Sequence, residues 1–418
     1  MKRRDALKTV GAGLLLGSGG FPAILRARDR RPTLRVLGTH VTLQEPIRRR
    51  AERELGFNIE FRPGGSAEVL QKAATAPESF DVYEQWSNSI RVLWQASAIQ
   101  SIDTRRLTHW GEINALPKTG RIMPSANTGG GDAPHKLLYV QEDGGLGPQP
   151  SRQVSFLPYV HNADSFGYDA RTIDSGTPYE TESWGWLFDP AHRGRVALVN
   201  EPTIGLFDLA LAAQARGLMR FADIGQMTRR EVDQLFEIVV DYKRRGHFRG
   251  VWFSVPHSVE LMARGEVVIE SMFSPAAGRL RGMGIPCVYA APKEGYRAWY
   301  GVMCLSSAAS PEQQDMAYAF MNWWLSGWPG AFIARQGYYI ANPERSRGYL
   351  SAAEWDYWYE GKPAPHQLTG VDGRIVVPGG EVRRGGSYYQ RFSNIAVWNT
   401  VMDTYEYTLT KWKEFLLA

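Results

Sequence analysis

The chain has 418 residues, 44% of them apolar and 22% charged, a balance that suits a folded globular protein and excludes a disordered chain or a membrane bundle. Its length exceeds one ordinary hydrophobic core and predicts two domains. Of the formal net charge of +5, residues 1–27 carry +4 through Lys2, Arg3, Arg4, Lys8 and Arg26 against Asp5, so the remaining body offers no basic surface for nucleic acid.

At the N-terminus, Arg3-Arg4 precedes an apolar stretch, residues 10–16, that is too short to span a bilayer. The pattern predicts a twin-arginine-type export signal over residues 1–27 and a periplasmic destination. Residues 34–38 then read as a strand. Ile47, Ala51 and Leu55 recur at helical spacing before Gly56, predicting a helix over 44–55. Phe57, Ile59 and Phe61 alternate as a second strand, residues 66–76 form a second helix, and a third strand starts at Asp81. This βαβαβ order implies a parallel sheet, whose strand ends release the loops 38–43 and 84–89 toward one crevice. Trp94, Ala98 and Ile99 are expected to continue a helix. Residues 124–150, with Gly129-Gly130-Gly131, lack the flanking strand and helix and the Lys-Ser/Thr of a phosphate loop, and read as a solvent loop.

The second half repeats the pattern. A capped helix is expected over 183–188, and a buried strand over 196–199 delivers Glu201 to a helix spanning 206–216. Glu201 either projects toward a cationic ligand or caps that helix. Val232, Leu235, Phe236 and Val239 form a helical core stripe. Strands are expected over 266–273, 285–291 and 301–305, with a helix over 275–281, so that Phe273 and Trp299 fall at strand ends. Cys287 and Cys304 read as two small buried thiols, since no His stands beside them at a metal spacing. Ser310-Pro311-Glu312-Gln313 is a capping box. Residues 361–387 look like a surface insertion, and 396–417 like a final helix.

Chain crossings near residues 164 and 296 predict two α/β lobes joined by a hinge. Several strings, in order, carry a resemblance over roughly residues 33–345: Phe80-Asp81-Val82-Tyr83 leading to Ile99-Gln100-Ser101-Ile102-Asp103, then Gly265-Glu266-Val267, Pro292-Lys293-Glu294-Gly295 and Gly337-Tyr338. They are similar to the type II periplasmic solute-binding proteins of ABC importers, in the branch that includes the spermidine/putrescine-binding proteins. The resemblance implies a two-lobed α/β fold in which each lobe is a mixed sheet flanked by helices. Lobe 1 would comprise 33–163 plus 300–342, and lobe 2 would comprise 166–298 plus 343–418. It further implies a monomer that captures a small solute, closes on it, and delivers it to a permease at the inner membrane, with no catalytic group, metal or cofactor.

By the family pattern, Trp86 and Ser87 stand at the first-lobe strand end, Glu201 in the second lobe, Phe273 and Trp299 at aromatic wall positions, and Tyr338 beyond the hinge. Such a cage suits an organic cation, because ring faces attract cations and carboxylates pin ammonium groups. Two departures stand out. Thr39 and His40 occupy the first loop where the polyamine binders carry aromatics, and Gly301 stands where they carry an aspartate. Glu84 or Glu270 would replace the lost anchor, or else each is a solvated or strand-edge acid. A polyamine or related organic cation is the favoured solute, with an amino acid, an organic acid or ferric ion as alternatives. Tyr338-Tyr339 resembles the tyrosine pair of iron-binding relatives, but adjacent strand residues face opposite sides. An exported enzyme is the remaining alternative, against which stand the missing Gly-x-Ser-x-Gly, His-Glu-x-x-His and dinucleotide motifs.

Overall fold

The computed structural model describes residues 31–418, so the export signal expected over residues 1–27 lies outside them. Strand Thr33–Gly38 buries Leu34 and Val36, and pairs in parallel with Asn58–Pro63 on one side and Val82–Trp86 on the other. The intervening helices, Glu45–Leu55 and Ser66–Thr75, bury Ile47, Ala51, Val69 and Ala73, the positions that repeat at helical spacing. The first helix ends on Gly56 at a φ of 79°, a left-handed conformation that glycine adopts without steric cost.

Two long strands pass between the lobes. Leu157–Asp169 is buried throughout. It pairs antiparallel with Tyr296–Ser306 as far as Asp164, and from Ser165 onward with Ile269–Met272 and Cys287–Tyr289. Tyr296–Ser306 in turn separates Leu157–Asp169 from Val82–Trp86. In the second lobe, Val196–Val199 pairs in parallel with Phe248–Trp252 and Ile269–Met272. Each lobe is thus a mixed sheet with its own core. The first gathers Val36, Tyr83, Leu157 and Trp324, and the second gathers Phe166, Leu198, Leu209 and Phe236. Helix Arg229–Arg244 buries Val232, Leu235, Phe236 and Val239 as its periodicity predicts, behind a capping box made by Thr228 and Glu231.

The structure departs from the sequence reading in five places. Residues 395–398 are a strand parallel to Tyr296–Ala298, not the start of the last helix, which begins at Tyr405. The spacing of Val397, Val401 and Tyr405 mimicked a helix, but Ile395 and Val397 are buried in strand alternation. Gly130 pairs with that strand through bonds to Ala396 and from Trp398, so the glycine run is a close backbone contact and not a solvent loop. The helix at Trp94 stops at Gln95, and Ile99–Gln100 instead pairs with the end of Tyr296–Ser306. The expected strand over 301–305 starts at Tyr296, which places Trp299 within it.

The fifth departure concerns the last hundred residues. Trp355, Tyr357, Trp358, Tyr388 and Phe392 belong to the first core, while Val397, Met402, Trp412 and Phe415 belong to the second. The aromatic rings of Tyr388 and Phe392 pack around His161 and Tyr339, beside the first core, within a segment that the sequence reading assigned to lobe 2. Most residues of 361–387 are exposed or half-buried, with a few buried contacts. Leu368 and Val377 are buried, and the hairpin they begin and end lies across helix Ser274–Gly282, where Gly278 leaves room for Val376. Cys287 and Cys304 are both free and buried. Among the described residues, no helix is long and apolar enough to cross a membrane.

Candidate ligand-binding cleft

Strand Val82–Trp86 carries Trp86 to the edge of the first lobe, where it packs against a second-lobe cluster that includes Val199, Ile204 and Trp252. Phe273 ends the second-lobe strand Ile269–Met272, and Trp252 braces its ring at a centroid distance of 5.0 Å. Trp299, on the crossing strand, lies edge to face with Tyr338 at 5.5 Å. These four expected residues come together with Val41 and Ile204 around a space of about 20 Å³. The rings nearly touch, so the two lobes lie close together.

One charged member was missed by sequence reading: Asp164, at the crossing point of Leu157–Asp169, also lines that space. Its carboxylate accepts bonds from Trp299 Nε1 at 2.8 Å, Asn162 Nδ2 at 2.8 Å and Tyr289 Oη at 3.0 Å. Behind it, Arg297 Nη1 stands 3.7 Å from Asp164 Oδ2, while Arg297 Nε donates to Asp208 Oδ1 at 2.6 Å. All three charged side chains are fully buried. Burial pushes the Asp164 carboxyl up, against Arg297 and the bonds from Tyr289 and Trp299 that pull it down. Asp208 is pushed up to about 6 by burial, opposed by Arg297. Asp164 is the acid of this group that lines the aromatic space, and Arg297 and Asp208 pair behind it. An Asp inside a run of otherwise buried strand residues, next to a chain crossing, is the signal that could have found it.

The other expected residues have different work. Glu84 is buried and fully engaged: Thr39 N and Oγ1 donate to Oε2 at 2.9 and 3.1 Å, and Tyr159 Oη donates to Oε1 at 2.6 Å. It fixes the first loop and is not the substitute anchor. Thr39 is spent on the same contact, and His40 is exposed, so neither belongs to the cage. Ser87 is buried in the turn beyond Trp86 and does not line it. Glu270 accepts a bond from Ser258 Oγ at 2.7 Å and likewise stands away from the rings. Glu201 both caps helix Pro202–Ala215, through Thr203, and accepts from Ser66 Oγ of the first lobe at 2.6 Å. The cap is therefore also an interlobe bond.

At Gly301 the backbone is crowded. A Cβ there would stand 2.9 Å from the Val160 carbonyl oxygen. Tyr338 faces the cage whereas Tyr339 donates to the Trp358 carbonyl at 3.1 Å on the other side, so the tyrosine pair does not converge on a metal. Beside the cage, at Ser274 and Gln336, a larger cleft of about 670 Å³ opens between Gln44 of the first lobe, Arg279 of the second and the hairpin residues Asp372 and Arg374. This volume suits a small organic molecule.

Two mixed sheets linked by crossing strands, with an aromatic and acidic cage between them, define a two-lobed solute-binding protein of the type II class. Residues 48–355, most of the chain, match the bacterial extracellular solute-binding proteins, and the chain belongs to that family. Several solved structures share the fold. The spermidine/putrescine ABC transporter substrate-binding protein PotD of Streptococcus pneumoniae is 12% identical with a TM-score of 0.60, over 92% of this chain and 99% of that one. The TpPotD lipoprotein of Treponema pallidum is 12% identical with a TM-score of 0.63, over 93% and 100%. The binding protein AgtB from A. tumefacien, in complex with agropinic acid, is 14% identical with a TM-score of 0.57, over 92% and 99%.

Proposed function

We propose that the protein is the substrate-binding component of an ABC importer and that its solute is an organic cation, a polyamine or a related amine. The observation that carries this reading is the Asp164 carboxylate lining a space walled by four aromatic rings, with the Arg297–Asp208 pair behind it. Ring faces attract a desolvated ammonium, and the carboxylate pairs with it. The ammonium head sits in the cage against Asp164, and the rest of the solute lies in the adjoining cleft. Closure brings Phe273 and Ile204 of the second lobe onto a solute already resting on Trp86 and Trp299, and the Ser66–Glu201 bond holds the lobes together. The closed form is what a membrane permease receives.

The test is calorimetric titration of protein freed of carried-over solute. Putrescine, spermidine and a betaine are compared with γ-aminobutyrate, a basic amino acid and a neutral sugar. Binding confined to the amines supports the reading. Binding only of an acid or a sugar sinks the cation assignment while leaving the transport role intact.

A further inference from the structure

Three arginines meet in the interior without the acids that buried guanidiniums ordinarily pair with. Arg281 comes from helix Ser274–Gly282 of the second lobe, Arg391 from helix Tyr388–Phe392, and Arg383 from the loop before it. All three line one small cavity of about 20 Å³ together with Arg384, Ser274, Tyr289, Tyr357 and Trp358. Arg391 is fully buried and Arg383 is 6% exposed. Among the described residues, Arg281 Nε, Arg383 Nη1 and Arg391 Nε have no hydrogen-bond partner. The bonds these side chains do make go mostly to neutral oxygens. Arg391 donates to the Ala163 and Arg384 carbonyls at 2.8 and 2.9 Å and to Tyr296 Oη at 3.1 Å, and Arg383 donates to the Gly337 carbonyl at 3.3 Å. Two carboxylates stand at the margin: Glu381, 3.5 Å from Arg281, and Glu182, 3.6 Å from the neighbouring Arg384.

A buried lysine relieves such a position by releasing its proton, but a guanidinium stays charged. With Arg384, four cations line the cavity against the two marginal acids, which leaves positive charge in a low-dielectric interior, and that is costly unless an anion supplies the balance. The unpartnered atoms are all donors. A water molecule there would have two hydrogens of its own to place, whereas an anion only accepts. The cavity holds about one water-sized particle, which is too little for sulfate, phosphate or a carboxylate solute.

We infer that the cavity between Arg281, Arg383 and Arg391 is a binding site for a monatomic halide, chloride in practice. The site is separate from the aromatic cage and shares no lining residue with it. Because Arg281 belongs to the second lobe while Arg383 and Arg391 belong to a segment packed on the first, an occupied site ties that segment to helix Ser274–Gly282.

The experiment uses the mature protein dialysed into sodium gluconate. Chloride or bromide then replaces gluconate at constant ionic strength while thermal unfolding is followed. A ligand that binds only the folded state raises the melting temperature with its concentration. The expected result is a saturating rise of about 2 °C or more with either halide, absent in Arg383→Gln. Crystals of the unaltered protein grown from bromide should show anomalous density between the three guanidiniums. Equal melting in chloride and gluconate, a halide effect retained in Arg383→Gln, or bromide bound only elsewhere would each overturn the site. A rise with sulfate that equals the chloride rise and is lost in the variant would overturn the halide assignment.

Discussion

Trp299 donates its indole N–H to Asp164 across 2.8 Å, so the ring that walls the cage also orients the acid that gives the cage its charge. Asp164→Asn removes the charge while keeping the shape. It should weaken binding of an organic cation by at least about 30-fold, the loss expected when one partner of a buried charge pair is neutralised. Trp299→Ala should cost more than about tenfold, and Trp299→Phe less, because the phenyl ring retains the cation-facing surface. Titration calorimetry of the three variants checks the order; equal affinities for Asp164→Asn and the unaltered protein would remove Asp164 from the site.

The bond from Ser66 to Glu201 joins the lobes by a charge-assisted contact worth about 1.5–3 kcal/mol. Ser66→Ala deletes it without touching the Glu201 cap on helix Pro202–Ala215. Solute dissociation should accelerate by about tenfold with little change in association, a pattern read directly by stopped-flow fluorescence of the cleft tryptophans. An unchanged dissociation rate would show that the bond plays no part in closure.

Glu270 is buried, and burial pushes its carboxyl up to about 8, only partly opposed by the bond from Ser258. The folded value thus exceeds the unfolded value of about 4.3. The stability that the neutral form contributes is complete below pH 4.3 and is lost as pH rises through 8. Glu270→Gln keeps the neutral shape at every pH. The variant should match the unaltered protein near pH 4 in urea unfolding and exceed it by up to about 4–5 kcal/mol above pH 8. Parallel curves from pH 4 to 9 would contradict the assignment.

Gly301→Asp would restore the family aspartate but force a Cβ to within 2.9 Å of a strand carbonyl. The expected outcome is a loss of about 1–3 kcal/mol of stability, as for other overpacked interiors, with no gain in polyamine affinity. A tighter polyamine complex would show instead that the strand yields and that an aspartate fits there as an ammonium anchor.

Most of the fold was legible because its signals are local. The helix over 45–55 declares itself through Ile47, Ala51 and a terminal glycine, and the strands through alternation or short apolar runs. The four cage aromatics were legible through family pattern. Asp164 was not, because its meaning depends on Trp299 and Arg297, more than 130 residues away, and nothing beside it in sequence marks it as paired. Glu84 misled for the mirror reason. It sits near a strand end as a ligand contact would, yet Thr39 and Tyr159, both distant in sequence, absorb its oxygens. Residues 361–387 read as a surface insertion, and the packing of the flanking Trp355, Trp358, Tyr388 and Phe392 into the first core shows only in three dimensions.

The position of strand Tyr296–Ser306, inserted between Val82–Trp86 and Leu157–Asp169, bears on how the molecule is made. While a ribosome has produced only the first 290 residues, the first lobe lacks the strand that joins its two halves, and the second lobe still awaits Trp412 and Phe415 to cover helix Arg229–Arg244. Neither lobe can finish ahead of the other during synthesis. The chain must stay open until nearly its last residue has emerged and then assemble through contacts that span most of its length, which makes folding slow. Removal of the final helix should accordingly leave helix Arg229–Arg244 uncovered and the second lobe without part of its core.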